Sequence, residues 1–288
     1  MKYTILLIIF LLTLKSKETN GVAKGTSWLL QLDGEVRRDL TLEEAKFYDI
    51  DLFDTNSTTV AELKNEGRIV IAYMSCGSWE NWRPDAGDFP TEAIGNKLSG
   101  WAGEKWLDTT NSEVRTIMTQ RMDLAVSKGF DGIDCDNVDA GFASNPYQLT
   151  GFYLNSSTAL DYLSFISQQA NSRGLLRGLK NCASVSNTTQ VRNWFDFAVV
   201  ESCFVWDECD YFFGFLQDGK AVFDAEYLGQ DIDLNECTFA QQNQMGLLFF
   251  PQDQDLDGQF WPCPTTSFAS VFVFNFVLVC FLLFFNLF

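Results

Sequence analysis

Eight short runs rich in Val, Ile, Leu and Phe recur along this chain, with helix-like segments between most of them. That alternation most narrows what the chain can fold into. The runs fall at 28–32, 48–52, 69–74, 129–133, 175–179, 197–200, 221–224 and 245–249. Segments 60–65, 112–127, 158–172, 190–194, 207–215 and 237–244 carry helical spacing or helix caps. Strands alternating with helices at this length predict a single-domain α/β fold, the (β/α)8 TIM barrel, occupying 24–265.

Both ends of the 288-residue chain lie outside that pattern. Residues 1–21 open with Lys2, run apolar over 5–12 and turn polar at Lys15, the arrangement of a secretory signal peptide. Residues 266–288 form a hydrophobic tail without a charge and follow a stretch of small residues. A tail with no basic residue after it reads as a GPI-attachment signal, with a membrane-spanning anchor as the alternative. Either reading makes the membrane a partner and places the protein outside the cell, secreted or on the outer face of the plasma membrane. Asn56, Asn155 and Asn187 head glycosylation sequons, in keeping with that route.

There are eight cysteines, one of them, Cys280, in the tail, so the barrel holds an odd number and at least one free thiol. Cys203 with Cys209, and Cys237 with Cys263, are reasonable disulfide pairs; Cys76, Cys135 and Cys182 sit near strand ends. The chain has no histidine, which rules out a Ser-His-Asp triad and a zinc site of ordinary composition. No metal or cofactor is implied. A formal net charge of −18 argues against nucleic acid and suits a cationic substrate.

The densest chemistry lies at 129–139, where an apolar strand start runs into Asp131, Asp134, Asp136 and Asp139. Alternation along a strand puts Gly132, Asp134 and Asp136 on one face. In a parallel barrel, the carboxyl ends of the strands are where active sites form. Glu201 follows the apolar run 197–200 in the same way. Two acids on separate strand ends meet the need of glycosidic cleavage: one donates a proton to the leaving oxygen, the other attacks or activates water. Tyr73 to Trp82, Lys180, Glu226 and Tyr227 belong to the same mouth, mixing acids, amides and rings as sugar sites do. Trp79, Trp82, Trp101 and Trp106 crowd the long connection after the third strand, as stacking platforms or as a satellite core.

At these residues the chain resembles glycoside hydrolase family 114, the endo-α-1,4-polygalactosaminidases. The likeness is carried by 71–85, Gly100-Trp101, 103–108, 129–139, 178–181 and 195–203. It implies a (β/α)8 barrel that cleaves within polymers of α-1,4-linked galactosamine, a cationic amino-sugar polymer. It also implies a catalytic Asp on the fourth strand and a Glu on the sixth. Here these are Asp136, or its face-mate Asp134, and Glu201. The family's Asp-Pro-Asp-Asn becomes Asp134-Cys135-Asp136-Asn137, and its Glu-Gln-Cys becomes Glu201-Ser202-Cys203.

The expected mechanism makes Asp136 the nucleophile or base and Glu201 the proton donor, its pKa raised by burial against Phe204 and Trp206. Lys180 is the cation expected to keep Asp136 ionised. Asp134, Asn137, Tyr73, Trp79, Glu226 and Tyr227 are expected to contact sugar hydroxyls, ring faces or the ammonium. Two other readings stand beside this one: a non-catalytic barrel that binds polysaccharide at the cell surface, and a glycosidase for a different amino-sugar polymer.

Overall fold

A computed structural model describes residues 22–36 and 45–264. The expected signal peptide and the hydrophobic tail lie outside the described residues. Among the described residues, no helix is long and apolar enough to cross a membrane.

All eight expected strands form, as β1 (Trp28–Gln31), β2 (Phe47–Asp51), β3 (Ile69–Ser75), β7 (Gly132–Asp136), β8 (Leu176–Lys180), β9 (Phe197–Glu201), β10 (Val222–Glu226) and β11 (Gly246–Phe249). Each pairs in parallel with the next in that order. The short β12 (Trp261–Pro262) adds antiparallel to β11. The Gly25 N–H donates to the Gln244 carbonyl at 2.8 Å, and a Cβ at Gly246 on β11 would lie 3.0 Å from the Trp28 ring, so β1 returns beside β11. The sheet curls into a TIM barrel.

Around it lie α1 (Ser57–Asn65), α2 (Ser112–Lys128), α3 (Pro146–Thr150), α4 (Ser156–Ser172), α5 (Ala183–Ser186), α6 (Thr189–Trp194), α7 (Phe213–Gln217) and α8 (Leu234–Asn243). The two long helices are set by local signals. Asn111 caps α2 by accepting from Glu113 and Val114, and Gly129 ends it at φ 91°, a left-handed turn that side chains disfavour. That cap explains why β7 starts at Gly132 and not at 129 as expected. Asn155 and Thr158 form a capping box on α4. Where 207–215 was expected to be one helix, a 3-10 turn at Cys209–Phe212 precedes α7.

The pleat divides the core in two. Outward residues such as Ile50, Val70, Ile133 and Val200 pack under the helices. Inward, Phe47, Phe197, Phe223 and Trp28 fill the lower barrel, with Phe47 and Phe223 rings 4.4 Å apart. This apolar floor supports a polar layer above it.

The connection after β3 holds a second sheet, β4 (Ser78–Glu80), β5 (Ile94–Lys97) and β6 (Glu104–Leu107), antiparallel in the order β4-β6-β5. Buried Arg83 joins it to the barrel by bonding Asp51 at 2.7 Å and Glu80 at 2.8 Å. Arg121 on α2 bonds Asp85 at 2.7 Å and the Ser75 carbonyl at 2.7 Å. Buried guanidinium networks of this kind are costly to break.

The Cys203–Cys209 and Cys237–Cys263 disulfides form as expected. A third, Cys76–Cys135, ties the ends of neighbouring strands β3 and β7, and Cys182 remains a buried free thiol.

Candidate active site

Register builds the site. Tyr73 pairs with Asp134 and Ser75 with Asp136 across β3 and β7, while Asp134 meets Gly178 on β8 and Lys180 meets Val199 on β9. Tyr73, Asp136, Lys180 and Glu201 therefore converge above the aromatic floor. Just past three strand ends, Asn137 (φ 61°), Asn181 (φ 53°), Cys182 (φ 62°) and Ser202 (φ 56°) take left-handed backbone. Each such residue costs about 1–2 kcal/mol. Asparagine tolerates that region, and both asparagines are held by side-chain bonds. Asn137 Nδ2 donates to Ser75 Oγ at 3.0 Å; Asn181 accepts from the Glu201 N–H at 3.0 Å and donates to Glu201 Oε2 at 3.1 Å. A side chain at Gly77 would put its Cβ 1.7 Å from the Asn137 carbonyl oxygen, so the two loops meet only because position 77 is glycine.

One ammonium organises the carboxylates. Lys180 Nζ lies 3.5 Å from Asp134, 3.7 Å from Asp136 and 3.5 Å from Glu201. Burial alone would depress the Lys180 ammonium, but Asp136, Glu201 and Asp134 outweigh it and hold it well above its ordinary range. Asp136 accepts from the Tyr73 hydroxyl at 2.7 Å and from the Asn137 N–H at 2.7 Å. Glu201 accepts from the Tyr227 hydroxyl at 2.5 Å.

Above these groups opens a cavity of about 630 Å³. Asp139, Glu104 and Glu208 add carboxylates to its walls, and Trp101, Trp106, Phe142 and Trp206 add apolar surface. Among the described residues, no lysine or arginine lines it. Burial, with the Asp136 charge beside it, pushes Asp139 up to about 6.

The model of glycoside-hydrolase family GH114 matches residues 12–267. The chain belongs to family GH114. Among solved structures, Ega3 of Aspergillus fumigatus in complex with galactosamine is 34% identical with a TM-score of 0.75, over 84% of this chain and 96% of that one. The glycoside hydrolase domain of PelA from Pseudomonas aeruginosa is 15% identical with a TM-score of 0.66, over 82% of this chain and 98% of that one. At that identity it speaks to the fold alone. No curated protein matches the chain. The GH114 chain is a glycoside hydrolase.

In this GH114 barrel, Asp136, Glu201, Asn137, Tyr73 and Tyr227 all reach the cavity. Lys180 lies buried directly beneath it. Asp134 has no exposed surface; it touches Lys180 from below and lies near Asp49, another fully buried carboxyl. Burial and the Asp134 charge hold Asp49 well above the carboxylate range. Glu226 ends β10 on its outward face, where it accepts from the Phe204 N–H at 2.8 Å, away from the cavity. Trp79 lines a neighbouring cavity.

The expected cause of a raised Glu201 pKa is not found in the GH114 site. Burial does push Glu201 up, but Lys180 and the bonds from Tyr227 and Asn181 outweigh it and hold the carboxyl below its ordinary range. Trp206 is 69% exposed, and Phe204 turns away to pack on Phe239 at 5.4 Å. Neither covers Glu201.

Asp139, Asn181 and Glu104 join the site without having been assigned a contact from sequence, while Trp101, expected as a stacking platform or as satellite core, lines the cavity. For Asp139 the signal was its place in the same acidic run. Nothing local marked Glu104, which reaches the cavity because β6 folds over the barrel mouth. Cys203, Cys209 and Asp224 lie close together, but the two sulfurs are joined to each other and offer no thiolate to a metal.

Proposed function

We propose that this protein is an endo-acting hydrolase of α-1,4-linked galactosamine-containing polysaccharide, with Asp136 and Glu201 as its catalytic pair. The observation that carries the reading is the single Lys180 ammonium within 3.7 Å of both carboxylates, at the floor of a cavity with carboxylate walls. Acids without neighbouring cations at the wall attract an ammonium-bearing sugar and disfavour an acidic one. The galactosamine bound to Ega3, at 34% identity, supports the same substrate class.

In the proposed reaction, a carboxylate oxygen of Asp136 attacks the anomeric carbon, or takes a proton from a water that does. The bond to the leaving oxygen breaks as Glu201 gives that oxygen its proton. Tyr73 and the Asn137 N–H hold Asp136 in its attacking orientation. Lys180 and Tyr227 favour ionised Glu201 at rest, so the reactive protonated form is a minor one whose population grows as pH falls.

Secretion belongs to the same proposal. Three disulfides suit an oxidising compartment, with residues 1–21 as the signal and 266–288 as a lipid or membrane anchor. The test is purified protein acting on partly deacetylated α-1,4-galactosamine polymer. Oligomers should appear by mass spectrometry, and Glu201→Gln should lower the rate about 10²–10⁴-fold. Full cleavage by Glu201→Gln would remove the assignment of that residue.

A further inference from the structure

Leu98, Trp101 and Glu104 line the catalytic cavity and also a second open cavity of about 660 Å³. The β5–β6 hairpin is thus a ridge between the two, with Trp101 46% exposed upon it. Beyond the ridge the chemistry inverts. Trp79, Lys105 and Lys97 stand directly opposite one another on β4, β6 and β5, so they form one row on one face of the small sheet. All three line the second cavity, together with Asn81. The Lys105 ammonium sits 5.5 Å from the centre of the Trp79 ring.

Trp79 packs on the core and gives Lys105 a ring to rest on, but no ion pair accounts for two lysines side by side. Like charges facing each other across paired strands are destabilising. Among the described residues, no carboxylate forms an ion pair with Lys97 or Lys105, although the chain carries a net charge of −18. Two adjacent ammoniums repel a third, whereas they donate well to hydroxyl and acetyl oxygens, and Trp79 and Asn81 add a ring and an amide.

We propose that the second cavity is a subsite for a sugar residue without positive charge, N-acetylated or simply hydroxylated, in a polymer whose ammonium-bearing residue occupies the catalytic cavity. The proposal rests on the amino-sugar reading above and narrows it: the preferred substrate is a chain of mixed charge lying across the Trp101 ridge.

The experiment compares kcat/KM on fully deacetylated α-1,4-galactosamine oligomers with that on oligomers of equal length bearing interspersed N-acetyl groups. Wild type should favour the interspersed oligomers by about fivefold or more, the effect of one ammonium repulsion at a few ångströms in solvent. Lys97→Glu with Lys105→Glu should abolish or reverse that ratio, and Lys105→Gln, which keeps donors to oxygen, should reduce it. Raising salt from about 10 mM to about 1 M should shrink the wild-type ratio, because screening acts on repulsion between charges and not on shape. Equal rates of wild type on the two substrates, or a ratio unmoved by the charge reversals and by salt, would overturn the subsite while leaving the hydrolase reading intact. Absence of cleavage of either oligomer would overturn both.

Discussion

The Lys180 ammonium lies 3.5 Å from Glu201, and the same atom lies 3.7 Å from Asp136, so one buried cation spans the two carboxylates proposed to cut the polymer. Because it is buried, its charge acts on them with little screening. It holds them near each other despite their mutual repulsion and helps to hold the Glu201 carboxyl below its ordinary range.

Removing that cation should therefore damage both chemistry and folding. Lys180→Met would leave Asp134, Asp136 and Glu201 without their shared partner, a change expected to lower stability by about 3–5 kcal/mol. Chemical denaturation and kcat/KM should fall together. Lys180→Arg should not restore activity, since a planar guanidinium does not fit a site built around a compact ammonium. A Lys180→Met protein with wild-type turnover would show that the ammonium is scaffold only.

The pH profile follows from Glu201. Its carboxyl lies below the ordinary range, so the protonated donor becomes scarcer as pH rises, and kcat/KM should fall about tenfold per pH unit on the alkaline limb. Tyr227→Phe deletes the hydroxyl that donates to Glu201 at 2.5 Å and favours its ionised form. The alkaline limb should then move to higher pH. A limb unmoved by this substitution, measured on the same substrate, would detach Glu201 from the proton transfer.

Asp49 should matter as a donor rather than as a charge. Burial and the Asp134 charge hold its carboxyl well above the ordinary range, which favours the protonated form, and Asp134 supports Lys180 from below at 3.5 Å. Asn at position 49 keeps a donor, so Asp49→Asn should stay close to wild type in turnover and stability. Asp49→Leu leaves buried Asp134 without that donor, at a cost of about 1–3 kcal/mol, and should reduce kcat through the displaced Lys180. Urea titration and steady-state kinetics on the two variants compare these outcomes directly.

The Cys76–Cys135 bridge joins residues 59 positions apart and closes the segment that holds the small sheet and α2. Replacing both cysteines by alanine should lower stability by about 2–4 kcal/mol. Because Cys135 stands between Asp134 and Asp136, turnover should also drop, whereas alanine at Cys237 and Cys263 should affect stability alone. Thermal melts and kcat for the two double variants separate the effects.

Much of the barrel was legible because burial dictates it. Each strand had to bury both faces, so apolar runs such as 69–74 and 197–200 stood out, and α2 and α4 form close to the expected 112–127 and 158–172. The strands β4 to β6 did not stand out. Their Trp79 and Trp106 sit among lysines and acids, a pattern no different from a loop until the three segments pair. Glu226 was misread for a related reason: β10 runs two residues beyond the expected end, and strand alternation sends Glu226 outward and Tyr227 inward.

By itself, the sequence determined the parallel barrel, the shared face of Asp134 and Asp136, and Glu201 as the acid of another strand, because alternation and burial are local rules. Only the tertiary structure decided that Asp134 is sealed beneath Lys180 while Asp136 is open to the cavity, and that Lys180, Tyr227 and Asn181 hold the Glu201 carboxyl below its ordinary range. It alone also set a row of lysines beside a cavity of acids. Exposure, charge balance and proton affinity depend on neighbours distant in the chain, and strand register is what brings those neighbours together.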